Sequence, residues 1–275
     1  MSEELPDDHI TKKVVVLRLP GMDAVMVRRD LEYRADARGP LGFDIYSPPN
    51  GDGSTLRPAV ISVAGYPDPG MERILGCRTK EMGSSVSWAR LVAASGMVAV
   101  NYANREPAAD IHSVLRHLRE HGAALGIDSR RMGLLAVSGH GPLAMATLID
   151  DKADAPLRCA ALICPILMDL DGFTAVADAA RTFRFANPGE GRTVEDLPRD
   201  TALFIARAGQ DSTPGLNETL DRFVTKALER NLKVDLVNLP EAPHAFDLMQ
   251  DTETSREAIR AVLGFLRFQL QAAPA

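Results

Sequence analysis

The sequence predicts an α/β fold: one mostly parallel sheet with helices on both faces. Short runs that are apolar throughout, such as residues 59–64 and 132–137, alternate with helix-like segments. Strands that are buried on both faces have such continuous apolar runs, whereas half-exposed strands alternate apolar and polar residues. The chain has 275 residues, of which 45% are hydrophobic, which is enough for one large α/β core. We therefore expect a single domain over residues 1–275.

The N-terminal part of the chain is predicted to differ from the rest. Residues 1–12 begin with an acidic, polar stretch and are expected to form a loose arm. Strands are predicted at 14–19, 30–34 and 41–46. Because Gly39-Pro40 predicts a turn between the last two, these strands are expected to form an antiparallel meander at a sheet edge. Residues 47–57 are polar, contain several Gly and Pro, and predict a loop.

From residue 59 onward, strands and helices alternate, which is typical of a parallel sheet. The strands are predicted at 59–64, 97–102, 132–137, 157–164, 201–208 and 233–239. The helices are predicted at 85–95, 108–125, 142–150, 216–231 and 254–271. Residues 168–199 break this rhythm with about thirty residues of mixed character, which predicts a small insertion after strand 6, over the functional site.

Charge and composition exclude several classes of partner. The formal net charge is −6, from 37 acidic and 31 basic residues, and there is no basic stripe, so we expect no nucleic acid partner. No apolar run is long enough to span a bilayer, so we expect no membrane partner. The three cysteines (Cys77, Cys159 and Cys164) are too few and too irregular for a disulfide framework, which together with the polar N-terminus predicts a reducing, cytoplasmic setting.

The sequence also gives no reason to expect a metal or an organic cofactor. It contains no Gly-x-Gly-x-x-Gly motif and no phosphate loop. Three histidines on one predicted helix, His112, His117 and His121, have no third ligand of suitable spacing and predict a solvated helix face. A homodimer through the last helix or an edge strand is compatible with the sequence, although no motif requires it.

The segment around Ser138 is the strongest functional signal in the sequence. The apolar run 132–137 ends at Ser138, which is followed by Gly139 and Gly141, and a helical pattern starts at Pro142. A serine on such a sharp strand-to-helix turn exposes its hydroxyl above the sheet, where the helix N-terminus favours negative charge. Because a free hydroxyl is a weak nucleophile, it needs a general base, and His244, in a loop after the last predicted strand, is the best candidate.

Four segments together resemble the α/β-hydrolase superfamily, and within it the dienelactone-hydrolase-like and small serine esterase branches. They are Asp128–Arg131 before the strand, the turn at Ser138, the stretch 206–211, and Pro243–Phe246. The resemblance covers most of the chain and implies an eight-stranded, mostly parallel sheet and acyl-transfer chemistry at the carboxyl ends of the strands. It also implies a triad in the order Ser138, Asp211, His244, with Asp211 orienting the imidazole.

Other acids compete with Asp211 for that role. Asp211 could instead start the helix that follows it, and Asp169 and Asp171 follow the preceding strand, where some members of the superfamily carry their acid. Asp247 lies too close to His244 in sequence to orient it easily, and is expected to make a structural hydrogen bond.

The resemblance implies that an oxyanion hole forms from two backbone amides, those of Gly139 and Tyr66. Tyr66 follows Ala64-Gly65, where the superfamily often has His-Gly, and its ring could also line the acyl pocket or donate its hydroxyl. In the superfamily the turn that carries the nucleophile, called the nucleophile elbow, usually has the sequence Gly-x-Ser-x-Gly. Here Ala136 and His140 replace the two outer glycines. Because this position normally lies where helix and strand approach closely, His140 is expected to need extra room and either to face the substrate or to pack as an ordinary helix residue.

The sequence therefore predicts a serine hydrolase that cleaves small acyl esters or lactones through an acyl-enzyme, with no cofactor. Met168, Phe173 and Phe183 in the insertion are expected to line the substrate pocket together with His140. A peptidase or an acyltransferase could use the same triad. A non-catalytic protein of this fold that binds a ligand or a partner is the alternative favoured by the altered elbow and by the missing histidine before Gly65.

Overall fold

The centre of the protein is one eight-stranded sheet, in a computed structural model that describes residues 6, 9–49 and 55–271. The strands are β1 (Met26–Asp36), β2 (Gly39–Ser47), β3 (Arg57–Ser62), β4 (Val98–Tyr102), β5 (Ile127–Val137), β6 (Cys159–Ile163), β7 (Ala202–Ala208) and β8 (Val234–Leu239). Their spatial order is β1-β2-β4-β3-β5-β6-β7-β8. The pairings β1–β2 and β2–β4 are antiparallel and all others are parallel. The predicted sheet, with antiparallel strands at its N-terminal edge, is confirmed.

Helices cover both faces of this sheet. They are α1 (Asp68–Leu75), α2 (Gly83–Ala94), α3 (Pro107–His121), α4 (Gly141–Asp150), α5 (Ala175–Phe183), α6 (Leu216–Glu229), α7 (Phe246–Met249) and α8 (Glu253–Gln271). The five predicted helices correspond to α2, α3, α4, α6 and α8, whereas α1, α5 and α7 were not predicted. The start of α1 contains Pro69 and Gly70, which have low helix propensity, although proline is tolerated in a first turn. None of the helices in the described ranges combines the length and the hydropathy that crossing a bilayer requires.

The core has two halves, one on each face of the sheet, because side chains alternate along every strand. In β3, Ala59 and Ile61 point into the half that contains Leu115 of α3, while Val60 points into the half that contains Leu91 of α2. Both halves are built from fully buried aliphatic and aromatic side chains. The central parallel strands are therefore rigid, and loops at their carboxyl ends have a fixed base.

The predicted strand at 14–19 is wrong: this segment forms no strand and lies outside the sheet. Val15 and Leu17 are buried in the same half of the core as α2. Their backbone is held elsewhere, since the Val15 amide donates to Ser87 Oγ (3.0 Å) and the Val16 amide donates to the Asp247 carbonyl (2.9 Å). The apolar pattern correctly indicated burial, but burial of alternate side chains does not require pairing with a strand.

Two further N-terminal predictions need correction. The β1–β2 hairpin turns at Ala37-Arg38, and Gly39 already pairs with Asp36 as the first residue of β2. Proline is tolerated at residue 40 because it lies beside the turn, at the end of the β1–β2 pair, where one missing backbone donor can be accommodated. Of the predicted loose arm, residues 1–5, 7 and 8 lie outside the described residues, and Ile10–Lys12 forms an ordered 3-10 helix. Residues 50–54 of the predicted loop also lie outside the described part of the chain.

Candidate active site

Ser138 stands at the carboxyl end of β5 in a strained backbone conformation. Its φ is +54°, in the left-handed region, which L-residues with side chains adopt at an energetic cost. The Ser138 carbonyl accepts a hydrogen bond from the Ile166 amide (3.1 Å), so the turn is held from the neighbouring loop. A 3-10 turn, Ser138–His140, leads directly into α4. This is the sharp strand-to-helix turn that the sequence predicted.

The structure brings Ser138, His244 and Asp211 into one hydrogen-bonded chain. Ser138 Oγ lies 2.8 Å from His244 Nε2, and His244 Nδ1 lies 2.5 Å from Asp211 Oδ2. The three residues follow β5, β8 and β7, whose carboxyl ends meet at one edge of the sheet. With Nδ1–H donated to the carboxylate, Nε2 is free to accept the serine proton.

The Asp211 carboxylate is fully buried but remains easily ionised. Burial by itself would raise its pKa, yet hydrogen bonds from His244 and from the Thr213 amide (2.9 Å), together with the charge of His244, lower the pKa below its ordinary value. The carboxylate is therefore charged at neutral pH and can stabilise an imidazolium that forms beside it.

The loops that carry Asp211 and His244 are joined by their backbones. The Gly209 amide donates to the Leu239 carbonyl and the Gln210 amide donates to the Ala242 carbonyl, at 2.8 and 2.9 Å. A Cβ on Gly209 would lie 2.4 Å from the Pro240 carbonyl oxygen, so only glycine allows this approach. The acid and the histidine are thus held as one unit.

The competing acids have other partners. Asp169 accepts hydrogen bonds from the Val176 and Ala177 amides (both 2.8 Å) and so caps the start of α5. Asp171 forms an exposed ion pair with Lys226. Asp247, as the sequence suggested, makes a structural hydrogen bond: it accepts from Trp88 Nε1 at 2.8 Å, and both side chains are buried. None of these three contacts His244 by a hydrogen bond.

Within the described parts of the chain, the backbone amides of Gly139 and Tyr66, both near Ser138, have no hydrogen-bond acceptor. The Gly139 amide lies in the first turn after β5, where amides have no partner within the helix. The Tyr66 amide, in the loop after β3, has no acceptor among the described residues. The Tyr66 ring packs edge-on against Phe185, and a Cβ built on Gly139 would meet the Tyr66 hydroxyl at 2.4 Å, so this hydroxyl lies directly over Gly139. Burial raises the pKa of Tyr66 to about 12, which keeps the hydroxyl protonated.

His140 occupies a place that the sequence interpretation did not foresee. Its Nδ1 accepts a hydrogen bond from the Gly65 amide at 2.7 Å, and burial lowers the pKa of the ring to about 4, so the imidazole is neutral. The expected crowding falls on Gly141 instead, since a Cβ there would lie 2.0 Å from the Ile166 carbonyl oxygen. The turn therefore needs its glycine at residue 141, one position later than in the usual motif. The His140 side chain is accommodated toward the loop after β3.

A cavity of about 420 Å³ opens beside Ser138 and His244. His140 and Phe183 line it, as the sequence predicted, and Tyr66 does so too. Met168 and Phe173 do not: Met168 is buried in the core, and Phe173 lies beneath the Arg222 guanidinium, 3.9 Å from the ring centroid. The apolar character of the insertion was a poor guide because most of its large apolar side chains pack into the core and not around the cavity.

Sequence reasoning missed much of the cavity wall. The missed apolar residues are Ile10, Met71, Ile74, Leu75, Met82 and Leu248. They belong to the N-terminal 3-10 helix, to α1, to α7 and, for Met82, to a short connection, none of which has a periodic pattern long enough to indicate its position. The one sequence signal in this region is the short apolar set Met71, Ile74 and Leu75 among polar residues.

The described residues contain no cluster of His, Cys, Asp and Glu side chains that could hold a metal ion. On α3, the His117 and His121 rings pack together with centroids 4.7 Å apart, and His117 also packs on Phe43. These ring contacts account for His117 and His121, two of the three histidines of this helix.

Compared with protein-family profiles and with curated protein sequences, the chain gives no match. Among solved structures it is similar to the native esterase Est2 of Thermogutta terrifontis, with a TM-score of 0.64 and 21% identity over 94% of this chain and 97% of that one. It is also similar to the esterase LipW of Mycobacterium marinum (TM-score 0.67, 18% identity, 90% and 83% covered). A mutant of the esterase rPPE gives a TM-score of 0.68 at 15% identity, with 94% and 86% covered. Together with the strand order, these similarities show that the chain has the α/β-hydrolase fold.

Proposed function

We propose that the protein is a serine hydrolase that cleaves carboxylic esters through an acyl-enzyme. The observation that carries this proposal is the 2.8 Å contact between Ser138 Oγ and His244 Nε2, on a serine whose backbone is held in the left-handed region. Structural strain of this kind persists only where the surroundings enforce it, and it is common at catalytic positions. The structurally similar proteins support the proposal, since they are esterases and structures of Est2 have propionate or butyrate bound.

The chemistry follows from the positions of these groups. Ser138 Oγ attacks the ester carbonyl while His244 Nε2 takes its proton, and the Asp211 carboxylate holds the Nδ1–H tautomer and stabilises the imidazolium. The Tyr66 and Gly139 amides bind the carbonyl oxygen as it becomes negative. His244 then protonates the departing alkoxide. A water activated by the same imidazole cleaves the acyl-enzyme and frees Ser138.

The cavity favours compact, mainly apolar esters. At about 420 Å³ it has room for a small acyl group and a small alcohol, and the surface of its wall is mainly apolar, from aliphatic and aromatic side chains. A lactone fits the same scheme, with the alkoxide remaining attached to the acyl chain. The dienelactone-hydrolase-like branch is part of this proposal, and it rests on the sequence resemblance. The complete hydrogen-bonded chain from Ser138 through His244 to Asp211 favours catalysis over a protein that only binds. A site that only binds has no need of a buried carboxylate bonded to the histidine.

The proposal is tested with a fluorophosphonate probe and a series of p-nitrophenyl esters from acetate to dodecanoate. We expect the probe to label Ser138 and the turnover to be highest for the short acyl chains. Ser138→Ala should abolish labelling and lower kcat by about four to six powers of ten, because triad members act as a unit.

Ser62→Ala is the matched control, since Ser62 lines the same cavity without a histidine partner. It should retain labelling and most of the turnover. Ester hydrolysis that survives in Ser138→Ala would rule out the proposed nucleophile. Alcohol acceptors added to the assay separate hydrolysis from acyl transfer, and a peptide p-nitroanilide tests for a peptidase.

The setting and the partners of the enzyme stay predictions. All three cysteines are unpaired, which is compatible with the reducing, cytoplasmic setting that the sequence suggests. A homodimer, and the expected absence of nucleic acid and membrane partners, rest on the sequence alone.

A further inference from the structure

The loop Ala64–Tyr66 has an unusually complete set of backbone hydrogen bonds. The Ala64 amide donates to the Tyr102 hydroxyl (3.2 Å), and the Gly65 carbonyl accepts from the Ala186 amide (2.8 Å). The carbonyls of Ala64 and Tyr66 both accept from Asn104 Nδ2, at 3.4 and 3.0 Å. With the Gly65 amide bonded to His140, every backbone polar group of this loop has a partner except the Tyr66 amide. A backbone amide left free in a loop that lines the cavity points to a ligand that supplies the missing acceptor.

The direction of the free amide follows from the bonds on either side. In a trans peptide the carbonyl and the next N–H point in opposite directions, so the bond from Ala186 to the Gly65 carbonyl fixes the Tyr66 N–H as well. The bond from the Gly65 amide to His140 fixes the preceding peptide plane in the same way. Two successive planes are thereby fixed, one from the loop after α5 and one from the turn that carries Ser138.

The contact between the two loops is close enough to require its particular residues. A Cβ on Gly65 would lie 3.0 Å from the Gly139 carbonyl oxygen and 3.1 Å from His140 Cα. The imidazole of His140 also packs edge-on against the Tyr66 ring, with centroids 5.1 Å apart. His140 is thus the only side chain of the Ser138–His140 turn that bonds to the loop after β3 among the described residues.

We infer that His140 is a positioning residue: its bond to the Gly65 amide fixes the Ala64–Gly65 peptide, and together with the bond from Ala186 this directs the Tyr66 amide so that it completes the oxyanion hole. This role rests on the proposed esterase function. It assigns a purpose to the histidine that replaces an elbow glycine: a glycine at residue 140 has no side chain to accept from Gly65. Because the Gly65 amide is committed to Nδ1, it is not a donor to the substrate, and the second donor has to be Tyr66. The His140 ring acts through the backbone and needs no contact with the reacting atoms.

The test compares His140→Leu, which has similar volume but no acceptor, with His140→Asn, whose Oδ1 can take the place of Nδ1. With p-nitrophenyl butyrate we expect His140→Leu to lower kcat by about 100-fold, with KM within about threefold of wild type, since one oxyanion donor is misdirected. His140→Asn should stay within about tenfold of wild-type kcat.

A trifluoromethyl ketone inhibitor gives a second readout that a purely structural role would not change. Ser138 Oγ adds to the ketone carbon, its proton passes to His244, and the carbonyl electron pair moves to the oxygen as an oxyanion. The inhibition constant should rise in His140→Leu in proportion to the loss of kcat. The affinity for the matching methyl ketone, which forms little oxyanion, should change by less than about threefold.

Each outcome decides between the proposals. A wild-type enzyme that fails to react with both the ketone and the fluorophosphonate contradicts the esterase function itself. An active wild type with an equally active His140→Leu variant overturns only the role of His140, as does an equal loss in the Leu and Asn variants. If His140→Leu does not fold, His140→Gly removes the acceptor with less volume. If neither folds, the residue maintains the fold, and the positioning role is rejected.

Discussion

The two sides of Ser138 are built in different ways. On the relay side, His244 and Asp211 act through their own side chains, and two short hydrogen bonds join the three residues. On the other side, which we call the oxyanion side after its proposed role, the groups proposed to face the substrate are backbone amides, and side chains and amides from separate segments hold them in place. The relay side (Ser138, His244 and Asp211) depends on the identity of its side chains. The oxyanion side depends on the orientation of its peptide planes.

This difference leads to different expectations for mutation. Removing a relay side chain deletes a participant in proton transfer. Removing a support on the oxyanion side leaves the amide in the chain but lets it turn away, so the loss should be partial and should appear in kcat rather than in KM.

The largest effect on the relay side apart from Ser138 is expected for Asp211→Asn. The asparagine side chain is a weaker hydrogen-bond acceptor than the carboxylate, so it holds the Nδ1–H tautomer of His244 less well. It is also uncharged and cannot stabilise the imidazolium, so kcat should fall by about 10⁴-fold. Steady-state hydrolysis of p-nitrophenyl butyrate measures this loss.

Asp169→Asn provides the matched control, because Asp169 follows β6 and only caps α5. We expect it to lower thermal stability slightly and to change kcat by less than about threefold. A large loss in this variant with none in Asp211→Asn would transfer the role of the acid to Asp169.

On the oxyanion side, Tyr66→Phe separates the hydroxyl of Tyr66 from its backbone amide. The hydroxyl lies over Gly139 with no hydrogen-bond partner among the described residues, so it is available to a substrate oxygen. We expect kcat to fall by about tenfold with little change in KM, because one neutral donor contributes about 1 kcal/mol or somewhat more. An unchanged kcat would mean that the ring only lines the cavity.

The smallest expected effect concerns stability and pH. The native pKa of Asp211 is lowered, so its ionised form stabilises the folded protein at pH values above the unfolded pKa. That contribution is lost as pH falls below about 4 and through the native pKa. The difference in unfolding free energy between wild type and Asp211→Asn should therefore be smaller at pH 3 than at pH 7. Urea unfolding at both pH values measures this difference, and a gap that does not depend on pH would contradict the assigned charge.

The sequence was a good guide to the relay side and a poor one to the oxyanion side. Ser138, Asp211 and His244 carry distinctive chemistry and stand directly after apolar strands, so residue type and position both indicate them. Nothing in the sequence marks Ala186 or Asn104, because one acts through its backbone amide and the other is an ordinary amide side chain. His140 was noticed as a departure, but its hydrogen bond to Gly65 joins residues 75 positions apart and depends on tertiary packing.

The fold shows the same pattern. The continuous apolar strands and the longer helices were predictable because burial imposes a period on them. The structure of the segment at 14–19, and the elements inside the insertion at 168–199, were not predictable. Irregular segments take their shape from the surfaces that they cover. Met168 and Phe173 look like pocket residues in the sequence, yet one fills the core and the other lies under Arg222.

The segment before β1 has a practical consequence. Its Val16 amide is bonded to the carbonyl of Asp247, three residues beyond His244, the proposed general base, and Trp88 holds the side chain of the same residue. We therefore expect a deletion or a bulky fusion near the start of the polypeptide to disturb the His244 imidazole. Purification tags are better placed after α8, and a loss of activity in N-terminally shortened versions would report on the loop that carries His244 rather than on a separate regulatory arm.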